Sequence, residues 1–292
     1  MFRTDLLTGK RILITGGGTG LGAAMAERFA GLGAHLVLCG RRLDVLQATA
    51  ARLHGLGAAP IELHRCDIRD AAQVDTMLDQ IWAQAPLHAL VNNAAATFIA
   101  QTEQLSTRAM DAVLATTLHG ALYCTMGVGR RWIAAAQPDT DAAGRPQPGV
   151  VLSILSTSVR TGRAFTVPSA IAKSGLQAMT RSLAVEWGGH GIRLVAIAPG
   201  SFPTPGASQQ LMAEPRAAAR PAGARVPLGR LGQPAELANL AVFLLADEAG
   251  YISGETVAID GAAHLRSSGA EDLLDWTAAD WLAHRTKRAP PV

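Results

Sequence analysis

The chain has 292 residues, a formal net charge of +3, and 49% hydrophobic against 17% charged side chains, which predicts a large folded core and excludes global disorder. Three widely spaced cysteines (Cys39, Cys66, Cys124) argue against a disulfide framework or a metal site and for a reducing compartment. Scattered basic residues and sparse aromatics predict no nucleic-acid partner. No signal peptide and no apolar run of about 18 residues is read, so a cytoplasmic chain without a membrane partner is expected. Lysine occurs only at 10, 173 and 287, tyrosine only at 123 and 251, and asparagine only at 92, 93 and 239.

The first predicted strand, Arg11–Thr15, runs through Gly16-Gly17-Gly18-Thr19-Gly20-Leu21-Gly22 into a helix over Leu21–Leu32. Gly16, Gly20 and Gly22 permit a tight turn, close approach of backbone to a pyrophosphate, and close helix–sheet packing. Thr19 and Leu21 open a helix whose N–H groups and dipole favour an anion. A glycine turn without a ligand is the competing reading; the flanking strand and helix weigh against it.

The second strand, His35–Cys39, leads into Gly40-Arg41-Arg42 and a helix over Leu43–Leu53, with no acid before Asp44. An acid there would favour a free ribose hydroxyl, whereas a guanidinium grips a 2′-phosphate. The expected cofactor is therefore NADP(H), with Arg41 the main contact and Arg42 secondary. The alternative is that both are solvated helix-start residues. The third strand, Ile61–Arg65, precedes Asp67, which can accept from an adenine amino group, and a helix over Ala71–Trp82. The fourth, Ala89–Val91, ends in Asn92-Asn93-Ala94, read as backbone and ribose positioning against a purely structural turn.

A long helix is predicted over Met110–Trp132, then a surface loop over Gln137–Gly149 and a fifth strand over Val150–Leu155. A helix over Gly175–Trp187 precedes the sixth strand, Arg193–Ile197. Gly200–Pro227 carries five prolines at a strand's C-terminal end, as a mobile substrate lid would. A helix over Ala235–Leu245 and a last strand over Thr256–Ile259 follow. In the tail, Glu271–Val292, Thr277 is a candidate N-cap with Asp280 at the third helical position. Apolar strands alternating with helices predict an α/β doubly wound Rossmann fold with a seven-stranded parallel sheet. The expected organisation is one domain over 1–265 and a helical extension over 266–292.

Residues 8–265 resemble the short-chain dehydrogenase/reductase family through the Thr15–Gly22 loop, Asn92-Asn93-Ala94-Ala95, Ser156, Lys173 and Pro199-Gly200. Within it, the stretches 41–50, 167–188, 227–244 and the tail resemble 2,4-dienoyl-CoA reductases. The resemblance implies cofactor contacts at Gly16, Thr19, Gly20, Leu21, Arg41, Arg42, Asp67, Asn93, Ala94, Lys173, Pro199, Gly200 and Thr204. It also implies a homotetramer built by pairing the long helices, and an acyl-CoA as the small-molecule substrate.

The family's usual Tyr-x-x-x-Lys places both side chains on one helix face. Here the run is Ser169-Ala170-Ile171-Ala172-Lys173, so a serine stands where the phenol is expected. The tyrosine of the mitochondrial-type reductases matches Ser158, their thioester-holding asparagine matches Thr97, and the usual asparagine of the family's tetrad matches Thr117. The expected catalytic set is Lys173, Ser156, Ser158, Ser169 and Thr117, with the hydroxyls orienting a proton-donating water. His119 is a titratable neighbour but points to another helix face than Thr117, and is read as structural or as the acid. Tyr123 is expected in the core and Tyr251 in a structural role. The expected reaction is NADPH-dependent reduction of a conjugated C=C thioester. Two alternatives stand: a reductase of another conjugated carbonyl or imine, and an NADP-binding protein with little redox activity.

Overall fold

The computed structural model describes residues 2–135, 149–204, 223–266, 273–274 and 276–288. Seven strands pair in parallel: β1 (Arg11–Thr15), β2 (His35–Gly40), β3 (Glu62–Arg65), β4 (Ala89–Asn92), β5 (Gly149–Ile154), β6 (Ile192–Pro199) and β7 (Thr256–Ile259). Their order is β3-β2-β1-β4-β5-β6-β7. The inner strands β1 and β4 are buried along their whole length. Strands apolar on both faces need helices on both sides.

One layer is formed by α1 (Gly20–Ala30), α2 (Leu43–His54) and α8 (Pro234–Leu245), whose buried residues include Met25, Phe29, Leu46, Leu237 and Val242. These pack on Ile12, Ile14, Leu36 and Leu38, the side chains that alternate to that face. On the opposite face Leu13, Val37, Leu90 and Val151 meet α3 (Ala71–Gln84) and α5 (Gly120–Ala134) through Val74, Leu78, Ile81, Val128 and Trp132. Burial of such side chains, about 1.5–3 kcal/mol each, is the main force holding the layers.

At the N-terminal edge of the sheet, buried Arg11 donates to both carboxylate oxygens of Glu62, at 2.6 and 2.5 Å, and to the Ile81 and Ala85 carbonyl oxygens. The cation sits at the C-terminal end of α3, where free carbonyls concentrate negative charge. This pins β1, β3 and α3 at the end opposite the loops that form the cavity.

Two predicted helices differ from their expected bounds. The predicted Met110–Trp132 helix is α4 (Thr107–Leu114), a wide π turn over Ala115–His119, and α5. The stretch Thr107–Ala134 is 28 residues long and apolar enough to cross a membrane by composition, yet half of its apolar window is buried in the fold. The helix expected from Gly175 begins eight residues earlier, as α7 (Val167–Glu186), because Pro168 fits a first turn whose N–H groups need no intrahelical partner. Ser169 and Lys173 therefore lie in the first turns of this helix.

The expected loop over 137–149 and most of the expected lid fall on residues 136–148 and 205–222, outside the described residues. In the tail, the Thr277 hydroxyl accepts from the Asp280 N–H at 3.3 Å, and the Asp280 carboxylate accepts from the Thr277 N–H at 2.8 Å. This reciprocal capping opens α9 (Ala278–Arg288).

Candidate active site

A crossover direction changes between β1 and β4, and an open doubly wound sheet leaves a crevice at such a point. A cavity of about 760 Å³ lies there, along the C-terminal ends of the strands. The Thr15 hydroxyl organises its floor. It donates to the Val91 carbonyl oxygen at 3.3 Å and accepts from the N–H groups of Asn93 and Ala94, both at 3.0 Å.

Asn93 then ties β4 to the glycine loop, its amide donating to the carbonyl oxygens of Thr15 at 2.9 Å and Gly16 at 3.2 Å. Gly16 takes a left-handed φ of 65°, and a side-chain carbon at Gly22 would stand 2.4 Å from the Gly16 carbonyl oxygen. Only glycine lets α1 begin so close to the loop. Gly16, Gly18, Thr19 and Leu21 line the cavity, and the first turn of α1 carries no acid. Gly20 does not line it. Its φ of 56° is what the turn requires, and a side chain there would face Thr204. An anion at this N-terminus therefore meets free N–H groups and no opposing charge.

Arg41 and Arg42 line the wall at the end of β2, both exposed at the rim, and Asp67 lines it at the end of β3. Arg69 grips the Asp67 carboxylate at 2.9, 3.0 and 2.5 Å, and these hydrogen bonds hold its pKa below the usual range. The glycine cradle, the acid-free helix start and the arginine pair fit a phosphate-bearing dinucleotide. Pro199, Gly200 and Thr204 close the wall beyond β6.

Toward β5, the cavity is lined by Ser156, Ser158, Ser169, Lys173 and Thr97. The Lys173 ammonium is buried and donates to the Ile154 carbonyl oxygen; desolvation pushes its pKa down to about 8. Ser158 opens the short helix α6 (Ser158–Thr161), and its N–H donates to the Ser156 hydroxyl at 3.3 Å. Neither tyrosine lines the cavity.

Thr117 departs from its expected role. It is fully buried in the π turn, where its hydroxyl donates to the Ala96 carbonyl oxygen at 3.2 Å and accepts from the Ala96 N–H at 3.0 Å. Both bonding directions are used on the 94–97 loop, so this side chain shapes the cavity from behind rather than facing it. His119 is exposed, sits 6.3 Å ring to ring from Tyr123, and is absent from the wall, which removes it as an acid. Tyr123 packs half-buried against the core, whereas Tyr251 is fully exposed and carries no packing role.

Two arginines that the sequence did not single out, Arg163 and Arg225, also line the cavity. Arg163 follows Gly162 in the loop after β5, at the same sheet edge as the glycine loop, and that position was the only available signal. Arg225 reaches the wall from a segment with no secondary-structure signature.

The family model described as enoyl-(acyl carrier protein) reductase matches residues 16–264. An oxidoreductase of Caenorhabditis elegans is 40% identical over 282 residues, covering 94% of this chain and 87% of that one. A Bacillus subtilis protein named "probable 2,4-dienoyl-CoA reductase" is 39% identical over 254 residues, covering 86% of this chain and 95% of its own. The crystal structure of a short-chain dehydrogenase from Bacillus anthracis superposes with a TM-score of 0.76 at 34% identity, covering 89% of this chain and 98% of that one. By these matches the chain belongs to the short-chain dehydrogenase/reductase family of nicotinamide-dependent oxidoreductases.

Proposed function

We propose that the chain is an NADPH-dependent reductase of a conjugated carbon–carbon double bond in a CoA thioester, of the 2,4-dienoyl type. One observation carries this reading: the cavity wall joins Lys173 to the hydroxyls of Ser156, Ser158 and Ser169 and to no phenol, with arginines also on it. Arg41 and Arg42 follow β2 and Arg163 follows α6 beyond β5; the strands β2 and β5 themselves stand three positions apart in the sheet, on the order of 14 Å. A 2′-phosphate engages the first pair. Arg163 and Arg225 then offer charge to a second anionic group, as the phosphates of a CoA ester present. Among the described residues the only carboxylate on the wall is Asp67, already engaged by Arg69.

Bound NADPH supplies a hydride to the conjugated system. The chain must then hold the negative charge that collects on the thioester oxygen and return a proton to carbon. Lys173, still mainly protonated at neutral pH, places a positive charge in a desolvated wall where it acts strongly. A serine hydroxyl is too weak an acid to replace a phenol. Ser156, Ser158 and Ser169 instead orient a water as donor. Exposed Met126, Ile133, Ile171 and Val185 on α5 and α7 support the helix-paired homotetramer.

The test is NADPH oxidation measured beside NADH, with 2,4-dienoyl-CoA, simple enones and a cyclic imine as substrates. Turnover of the dienoyl-CoA with preference for NADPH is expected. Faster turnover of an enone or imine would transfer the reading to that class, and tight NADPH binding without turnover would make the chain a binding protein.

A further inference from the structure

At the β7 side of the cavity, three side chains from two segments, the turn after β7 and α6, form a chain of hydrogen bonds. Asp260, buried just past β7, accepts from the N–H groups of Ala262 at 3.0 Å and His264 at 2.8 Å, and lies 2.8 Å from His264 Nδ1. His264 Nε2 stands 3.3 Å from Arg160 Nη1, and Arg160 Nη2 donates to the Thr256 carbonyl oxygen at 3.0 Å. A guanidinium can only donate, so Nε2 accepts; the ring is then neutral, with its proton on Nδ1 and aimed at Asp260.

An Asp–His pair of this kind activates a nucleophile when Nε2 faces a hydroxyl or thiol. Here a guanidinium occupies that place, so the pair orients rather than deprotonates. Neither end of the relay lines the cavity, but each adjoins a residue that does. Asp260 packs so closely on Gly200 that a side-chain carbon there would stand 2.5 Å from the Asp260 Cβ. Arg160 sits in α6, the single turn that begins with cavity-lining Ser158 and is closed by the Gly162 N–H donating to the Ser158 carbonyl oxygen at 2.8 Å. A turn this short has little stability of its own. Ala262, between Asp260 and His264, adopts a φ of 69°, a conformation that alanine keeps only under constraint.

We propose that His264 is a positioning residue: held in one tautomer by Asp260, it fixes Arg160, and through it the turn that presents Ser158 to the cavity. The effect on turnover rests on the proposed role of Ser158 in orienting the proton-donating water.

The test uses the full chain with His264→Leu and His264→Gln, since a glutamine amide can donate to Asp260 and accept from Arg160. Amide hydrogen exchange over residues 158–162 is read beside kcat and the KM values for NADPH and dienoyl-CoA. In His264→Leu, exchange is expected to speed up about tenfold and kcat to fall about tenfold, with KM for NADPH within about twofold. His264→Gln is expected to restore both. Exchange unchanged in the leucine variant, or a glutamine variant as impaired as it, would overturn the proposal. If the leucine variant fails to fold, Arg160→Met carries the same expectations. Should the parent chain turn over no conjugated thioester, the functional reading fails, while the exchange measurement still decides the positioning role.

Discussion

The Lys173 ammonium donates to the carbonyl oxygen of Ile154, the last residue of β5, and burial is what lowers its pKa to about 8 from 10.5. Between these two values the unfolded chain binds a proton that the folded chain does not. The stability of the unliganded protein should therefore gain from this group as pH rises from about 8 to 10.5, with a constant penalty below that window. Lys173→Met removes the penalty. It should stabilise the unliganded protein at pH 7 by about 1–3 kcal/mol, with the difference shrinking by pH 10, while turnover is lost. Urea denaturation at both pH values, beside the NADPH assay, checks this.

Arg41→Ala should weaken NADPH binding by roughly 10- to 100-fold and leave NADH binding within about twofold, the loss of one charge-assisted phosphate contact. Titration of both cofactors by fluorescence measures it. An equal loss for the two cofactors would return Arg41 to the status of a solvated helix-start residue.

Thr117→Val separates a structural from a catalytic hydroxyl. Valine cannot make the two hydrogen bonds to Ala96, and the buried backbone groups left behind should cost about 1–3 kcal/mol. The urea midpoint should fall, and the pH–rate profile of the surviving activity should keep its shape. A preserved midpoint with a displaced profile would restore Thr117 to the proton path.

Ser158→Tyr puts a phenol at a position that lines the same cavity as Lys173. A positioned general acid typically contributes 10²- to 10⁴-fold, so kcat on a dienoyl-CoA should rise roughly 10-fold or more. Steady-state kinetics at several pH values reads this. A fall in kcat would show that the serine and its water are already the better donor.

Gly22→Ala brings a methyl carbon 2.4 Å from the Gly16 carbonyl oxygen and 2.6 Å from the Asn93 amide nitrogen. Something must shift, and both neighbours hold the glycine loop. NADPH affinity should drop by 100-fold or more, read by calorimetry, with a lower melting temperature. Gly57→Ala, with open space around it but a φ of 88°, should lower stability alone.

The seven strands, their parallel pairing and the glycine loop between β1 and α1 were legible in the sequence. Those features are local: apolar runs alternate with helical periods, and the glycine loop joins one strand directly to one helix. The four-residue spacing of Ser169 and Lys173 is local as well, and it shows from sequence that no phenol stands one helical turn from the lysine. Whether a hydroxyl faces the cavity depends on how elements distant in sequence pack, and only the tertiary structure decided it. Thr117 and Ser158 are both small hydroxyl residues at positions the family resemblance marks as catalytic, yet the π turn directs one at Ala96 and α6 places the other on the wall. The arginines at 163 and 225 share a wall, and Asp260, His264 and Arg160 share one hydrogen-bonded chain, although 104 positions separate Arg160 from His264. Charge and tautomer are set by such partners, and the fold is what brings the partners together.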